Sequence, residues 1–187
     1  MLKGWTAYHL TIVAIFTLAM MYLGINALMM KNSGGYELSA EAELPYGVEQ
    51  LWQWTIENEK RAKWQVGMYD LSKLRGEPAE VESTRMLFFR SGADKWSGAE
   101  ITLESQRPLK WVSRQELPTV QRIYTISHEK LGPCLTKVTV HEKAAFFDFN
   151  ERFWLFWTKR DHQERLNYSL RQLKTWMGHK KETCKVG

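Results

Sequence analysis

The stretch 148–177, DFNERFWLFWTKRDHQERLNYSLRQLKTWM, decides the fold because it is long enough to form the one large helix of a small domain. Steps of three and four residues mark one face of a helix. Here they select a single stripe, which consists of Leu155, Lys159, His162, Leu166, Leu170, Leu173 and Met177. The middle of the stripe is polar, since Lys159 and His162 stand where apolar residues are expected. We therefore ask what this helix covers.

The residues before this helix have the pattern of strands separated by tight turns. One strand is predicted over 36–44, and an amphipathic helix and a second short helix or turn follow it before residue 65. Six further strands are predicted over 67–74, 84–90, 95–105, 110–117, 120–129 and 135–146. Short spacing with tight turns is typical of an antiparallel meander, which curls and leaves a concave side to be covered. The pattern predicts an α+β fold in which the long final helix covers that side.

A resemblance rests on the run 44–65, LPYGVEQLWQWTIENEKRAKWQ. A strand, a Pro-containing turn, a helix that starts Val-x-x-Leu-Trp and a short second helix ending near a Trp recur in the START/Bet v 1-like helix-grip superfamily, also labelled SRPBCC or polyketide cyclase proteins. The resemblance covers about 36–177. It implies a seven-stranded curved sheet that grips the final helix, with a cavity between them for an apolar ligand.

The N-terminal segment from Trp5 to Met30 contains no Asp, Glu, Lys or Arg. As a helix it would extend roughly 39 Å, more than the hydrocarbon core of about 30 Å. A cleaved signal peptide has a shorter apolar region that ends at a small-x-small site, and this run shows no such site. We predict a single transmembrane anchor over 1–31, a tether over 32–35, one domain over 36–177 and a basic tail over 178–187.

The charge pattern bears on partners and orientation. The formal net charge is +5, and Lys3 and Lys31 supply two of these charges, which leaves too small an excess to indicate a nucleic-acid partner. Lys3 and the terminal amine place more positive charge before the apolar segment than Lys31 places after it. The positive-inside rule therefore favours a cytoplasmic N-terminus. The predicted location is a bacterial inner membrane, with the domain on the periplasmic side.

The predicted cavity would be lined by the helix stripe and by inward-facing strand residues. These positions are Phe88, Trp111, Tyr124, Val138, Leu155, Lys159, His162, Leu166 and Leu170. A buried Lys159 or His162 needs a polar partner, such as Tyr124, Glu142 or the polar end of a ligand. Alternatively, Lys159 extends out to solvent and His162 bonds a strand carbonyl. The first functional hypothesis is a non-catalytic binding domain for a hydrophobic small molecule or lipid.

The run 153–157 consists of five consecutive apolar residues, which cover every direction of a helix. One face cannot bury them all, so Phe153, Trp154, Phe156 and Trp157 either pack into the core or form a patch for the bilayer interface or a membrane partner. Asn26 in the apolar segment is a further candidate contact. These positions motivate a second hypothesis, an accessory subunit of a larger membrane complex.

Motifs for catalysis or metal binding are lacking in the sequence. There is no Gly-rich phosphate loop or nucleophile elbow, and the five histidines show no metal-ligand spacing. We therefore predict no metal and no cofactor, and an enzyme of the cyclase or dehydratase type is a third hypothesis that no residue demands. Cys134 and Cys184 show no ligand spacing and are expected to be unpaired thiols.

Overall fold

The structure, a computed structural model, describes residues 3–179 and Cys184, without the side chains of 3–7, 27–33, 58, 156 and 179. The helices are α1 (Lys3–Ser33), α2 (Val48–Ile56), α3 (Asn58–Trp64) and α4 (Phe149–His179). The strands are β1 (Gly35–Leu44), β2 (Met68–Arg75), β3 (Thr84–Ser91), β4 (Asp94–Gln106), β5 (Lys110–Glu116), β6 (Val120–Gly132) and β7 (Leu135–Phe146). The fold class and all seven strands follow the sequence prediction.

The seven strands form one antiparallel sheet in the order β1-β7-β6-β5-β4-β3-β2. Strands β2 to β7 are a meander, as their short spacing predicted. Strand β1 is separated from β2 by two helices and joins the sheet at its far side, beside β7, over ten paired positions from Gly35↔Ala145 to Leu44↔Thr136. This arrangement places β1 and β7 together under the final helix.

Helix α4 lies over β1 and β7 and also contacts α3. Its buried apolar residues are those of the predicted stripe: Leu155, Leu166, Leu170, Leu173 and Met177. His162 is half-buried, but Lys159 is exposed. Lys159 therefore does not line the interior, and the structure agrees with the alternative in which its long charged side chain extends to solvent.

Helices α2 and α3 close the interior beside α4. In α2 the buried residues include Leu51, Trp52 and Ile56, on the face that the sequence period predicted. The indole nitrogen of Trp64 in α3 donates a hydrogen bond of 2.9 Å to the backbone carbonyl of Trp54, which holds the two short helices against each other. We call the sheet face covered by α2, α3 and α4 the inner face.

On β3, one side chain points in a different direction from the one predicted. Arg85, Leu87 and Phe89 are buried, whereas Phe88 is half-buried and its ring lies 6.1 Å from that of Tyr69 on β2. Phe88 therefore points away from the inner face, and the prediction that it lines a cavity is wrong by one residue. Two adjacent phenylalanines carry no alternation, so a slip of one position was not visible in the sequence.

Helix α1 is long and apolar enough to span a membrane between Tyr8 and Asn26. It continues through Ser33 and β1 begins at Gly35, so Gly34 alone separates them. The tether expected over 32–35 is therefore shorter than predicted. The carbonyl oxygen of Gly34 accepts a hydrogen bond of 2.9 Å from the backbone nitrogen of Phe146. The end of the apolar helix is thus bonded directly to the end of β7.

The two cysteines form a disulfide between Cys134, in the turn from β6 to β7, and Cys184. Their Cα atoms are 5.6 Å apart, a normal spacing for such a bond. The expectation of unpaired thiols is therefore wrong. Fifty positions separate the two residues, and only the folded chain brings them together. Apart from Gly178, His179 and Cys184, the predicted basic tail lies outside the described residues.

Candidate functional site: a buried charged band under the final helix

A band of polar side chains crosses the inner face of the sheet, in two neighbouring rows set by the strand register. One row pairs Glu100 on β4 with Gln115 on β5, and Gln115 with Arg122 on β6. The other row runs through Thr102, Ser113, Tyr124 and Glu142 on β4, β5, β6 and β7. All these residues are buried. The inner face is therefore polar at its centre, where the sequence predicted apolar cavity walls.

Glu100 is the centre of the first cluster. Its carboxylate accepts hydrogen bonds from Arg61 Nη1 on α3 at 2.7 Å, from Ser113 Oγ at 3.0 Å and from Gln115 Nε2 at 2.9 Å. Arg85 Nη2 on β3 lies 2.7 Å away as a second ion-pair partner. Burial alone would raise the pKa of Glu100, but the two guanidinium groups outweigh it and lower the pKa to about 2.

The Trp111 ring packs against both guanidinium groups of this cluster. The guanidinium carbon of Arg61 lies 4.7 Å from the centre of a Trp111 ring, and that of Arg85 lies 5.0 Å from it. Arg61 also lies 5.3 Å from the ring of Tyr124. Cation–π contacts of this kind are strongest where water is excluded. Trp111 and Tyr124, both predicted cavity residues, thus contact charges rather than an apolar space.

Glu142 is the centre of the second cluster, directly under α4. Arg165 Nη2 donates to its two oxygens at 2.8 and 3.1 Å, and the Tyr36 hydroxyl on β1 donates to Oε1. Arg122 Nε lies 3.3 Å from Oε1 as an ion pair. Burial would raise the pKa of Glu142, but Arg122 and Arg165 lower it. Burial and the adjacent carboxylate raise the pKa of Tyr36, so its hydroxyl remains a donor.

His162 lies at the edge of the second cluster. Its ring stacks on Tyr36 at 4.8 Å between centres and lies 6.3 Å from the ring of Phe146. Burial lowers the pKa of His162 to about 4, and the positive charges of Arg165 and Arg122 act in the same direction. His162 is therefore expected to be neutral at pH 7, mainly because it is buried.

The buried charges of the two clusters do not balance. Four arginines, Arg61, Arg85, Arg122 and Arg165, face two carboxylates, Glu100 and Glu142. Several buried donors also have no hydrogen-bond partner among the described residues. They are Arg61 Nη2, Arg165 Nε and the hydroxyl of Tyr124. Buried donors of this kind are costly unless something accepts from them, so the band is suited to receive an anionic group.

The structure brings some of the predicted ligand-binding residues together in the interior and places others elsewhere. Trp111, Tyr124, Val138, Leu155, Leu166 and Leu170 are brought together in the interior and are buried. His162 joins them at the rim, while Phe88 and Lys159 do not. Of the predicted contact residues, Phe153, Trp154 and Trp157 touch one another. Asn26 donates to the Tyr22 carbonyl of its own helix, and the side chain of Phe156 lies outside the described residues.

Sequence reasoning missed most of the charged band, although part of it was visible. Glu142 stands in step with Val138 and Val140 along β7, so the alternation that buries those valines also buries Glu142. Arg122 stands in step with Val120 in the same way. The burial of Arg61 on a short polar helix had no such signal, because it depends on how α3 packs.

Two further observations concern where ligands could bind. Among the described residues there is no group of three or more His, Cys, Asp or Glu side chains that could hold a metal ion. An open groove of about 210 Å³ lies beside α2. Its lining residues are Trp52, Gln53, Ile56, Glu57, Pro78 and Arg107.

No family model and no curated protein match this chain, but solved structures do. A protein from Thermus thermophilus is 14% identical with a TM-score of 0.65, and the match covers 79% of this chain and 100% of that one. Major latex-like protein 151 from ginseng, Panax ginseng, is 8% identical with a TM-score of 0.56, covering 76% and 97%. A protein from the dynemicin biosynthetic locus is 12% identical with a TM-score of 0.56, covering 76% and 47%. At these identities the similarity shows the fold, a curved antiparallel sheet like that of Bet v 1-like proteins.

Proposed function

We propose that this chain is a membrane-anchored helix-grip domain that binds an amphipathic small molecule or lipid without covalent chemistry. The observation that carries the proposal is the excess of buried guanidinium groups on the inner face, next to donors of Arg165 and Tyr124 that lack a hydrogen bond among the described residues. An acidic head group such as a carboxylate would accept from these donors and offset the excess charge. The apolar part of the ligand would contact the buried stripe of α4.

The position of the second cluster supports this role. Arg165 is half-buried whereas Glu142 is fully buried, so the cluster extends from the rim of the interior inward. His162 and Tyr36 stack at the same rim. A ligand head group can therefore reach Arg165 without passing through the Glu100 cluster. The neighbouring solved structures with this fold include a plant latex-like protein and a protein from a biosynthetic locus, which is compatible with small-molecule binding.

The proposed location is the outer side of the cytoplasmic membrane. Disulfides form and persist in oxidising compartments and are rare in the cytosol. The Cys134–Cys184 bond therefore supports a domain outside the cytosol. The apolar stretch Tyr8–Asn26 supplies a candidate span, and the weak charge asymmetry of the N-terminus agrees with this orientation.

The test compares two probes that differ only in the head group, a long-chain fatty acid and the alcohol of the same length. The full chain, purified in mild detergent, is titrated with each probe. We expect the acid to bind at least roughly tenfold more tightly, which corresponds to about 1.4 kcal/mol. The preference should disappear in Arg165→Met. Arg160→Met is the matched control, since Arg160 is an exposed residue of the same helix and is also paired with a glutamate.

Two outcomes would contradict the proposal. Equal affinity for acid and alcohol in the native chain would show that the charged band is not a head-group site. Failure of both probes to bind, together with native mass spectra that show no co-purified small molecule, would show that the interior is not a binding site. The acid-to-alcohol ratio does not change with the folded fraction, so a destabilised variant cannot imitate the expected result.

A further inference from the structure

An exposed aromatic patch lies at the start of α4, distinct from the charged band. We define the aromatic patch as Phe147, Phe149, Phe153, Trp154 and Trp157. Phe147 is 62% exposed, Phe149 65%, Trp154 54% and Trp157 44%. The rings of Phe153, Trp154 and Trp157 lie 5.4 to 5.6 Å apart, centre to centre. Large aromatic side chains clustered in this way at a surface indicate a contact site.

The aromatic patch lies beside the end of α1, which continues from the candidate membrane span through Ser33. The backbone nitrogen of Phe146 donates to the Gly34 carbonyl, and Gly34 directly follows α1. Phe147, the first residue of the patch, is therefore one position from this bond. Helix α1 also contacts α4. If a bilayer holds Tyr8–Asn26, the helix from there to Ser33 places the patch roughly 10 Å beyond the span, at the level of the membrane surface.

The charges around the aromatic patch balance one another. Within 147–161 there are three acidic residues, Asp148, Glu151 and Asp161, and three basic ones, Arg152, Lys159 and Arg160. The patch has no local excess of positive charge that would select anionic lipid. Contact with a membrane would instead depend on the rings, which have an apolar body and, in tryptophan, one polar N–H suited to the interface.

We propose that the aromatic patch inserts into the interfacial region of the same membrane that α1 spans, as a second attachment of the domain. The occupant is the lipid surface itself, including zwitterionic lipid. Attachment at both α1 and the patch holds the start of α4 against the bilayer. This inference depends on α1 as a span and on the position of the patch, and it does not require that the interior binds a ligand.

The test uses the full chain reconstituted in vesicles of zwitterionic lipid with two photoreactive lipids. One lipid carries its reactive group at the depth of the glycerol backbone, and the other carries it at the end of the acyl chain. Labelled peptides are mapped by mass spectrometry. We expect the interfacial probe to label 147–157 and the acyl-end probe to label the span, at both low and high salt. The peptide that contains Trp176, also exposed on α4 but almost thirty positions beyond Phe147, should remain unlabelled.

Amino-acid substitutions distinguish insertion of the aromatic rings into the membrane from mere closeness of the domain to the membrane. Phe149→Ser combined with Trp154→Ser should reduce labelling of the patch several-fold, whereas Trp176→Ser should not change it. An intact disulfide and an unchanged melting temperature control for folding. Labelling of the span without labelling of 147–157 would overturn the proposal, and so would a chain labelled at neither site. Labelling of the patch that appears only when another membrane protein is present would also overturn it, in favour of a protein partner.

Discussion

Arg165 on α4 donates two hydrogen bonds, of 2.8 and 3.1 Å, to the carboxylate of Glu142 on β7. This pair joins the covering helix to the sheet, and Glu142 is also bonded to Tyr36 and ion-paired with Arg122. Replacing Arg165 with Met leaves the Glu142 carboxylate buried with one fewer positive charge to stabilise it. Breaking a buried pair costs about 3–5 kcal/mol, and the partial exposure of Arg165 reduces this, so we expect a loss of about 2–3 kcal/mol in the free energy of unfolding.

Denaturant unfolding of the detergent-solubilised chain, followed by tryptophan fluorescence, measures this loss. Arg160→Met on the same helix should change stability by less than about 0.5 kcal/mol, because Arg160 and Glu164 form an exposed pair. Equal effects of the two substitutions would show that the Arg165–Glu142 pair does not hold the helix to the sheet.

Glu100 provides a second prediction. Glu100→Gln removes the charge that compensates Arg61 and Arg85, both of which stay buried. We expect destabilisation of about 3–5 kcal/mol. Glu104→Gln on the same strand is the control, since Glu104 pairs with Lys110 near the surface and should lose less than about 1 kcal/mol. A Glu100 variant as stable as the control would contradict the charged band as described.

His128 predicts a pH dependence of stability. Its ring lies between the Thr55 hydroxyl at 3.2 Å and the Pro108 carbonyl at 3.1 Å. Burial lowers its pKa from 6.5 to about 4, although the carbonyl bond acts in the opposite direction. Between these pH values the unfolded chain binds a proton that the folded chain does not, so stability rises with pH up to 6.5 and is lost as pH falls towards 4.

At about 1.4 kcal/mol per pKa unit, the lowered pKa of His128 changes the free energy of unfolding by about 3 kcal/mol across this pH range. Melting temperatures measured from pH 7 down to 4.5 test it, and His128→Asn should reduce the slope. His162 contributes in the same direction, so some slope should remain. The lowered pKa values of Glu100 and Glu142 cause losses only below pH 4.5. An unchanged slope in the variant would refute the assignment to His128.

The Cys134–Cys184 disulfide predicts redox-dependent stability. In the chain-entropy account, closing a loop of this length stabilises the folded state by about 2–4 kcal/mol. Reduction and alkylation should therefore lower the melting temperature of the native chain. A variant with both cysteines replaced by serine should start at the lower value and not respond to reductant. Free thiols in protein purified without reductant would contradict the bond.

The sequence predicted the architecture well because the signals for it are local. Strand alternation, turn residues and the stripe of α4 each depend on near neighbours, and the structure has all seven strands close to their predicted positions. The interior was predicted less well. Glu100 is an acidic residue on a strand with mixed alternation, and it is buried because Arg61 and Arg85 approach from other elements. Such pairing depends on tertiary contacts that single-sequence patterns do not contain.

The short junction at Gly34 limits how far the domain can travel. One residue spans at most roughly 3.6 Å, so β1 begins within a few ångströms of the end of α1. A carrier that crosses an aqueous compartment to a second membrane needs a long stalk, and this junction does not provide one. If α1 spans a bilayer as proposed, the domain stays at the surface of that bilayer and can reach only that membrane or molecules that come to it.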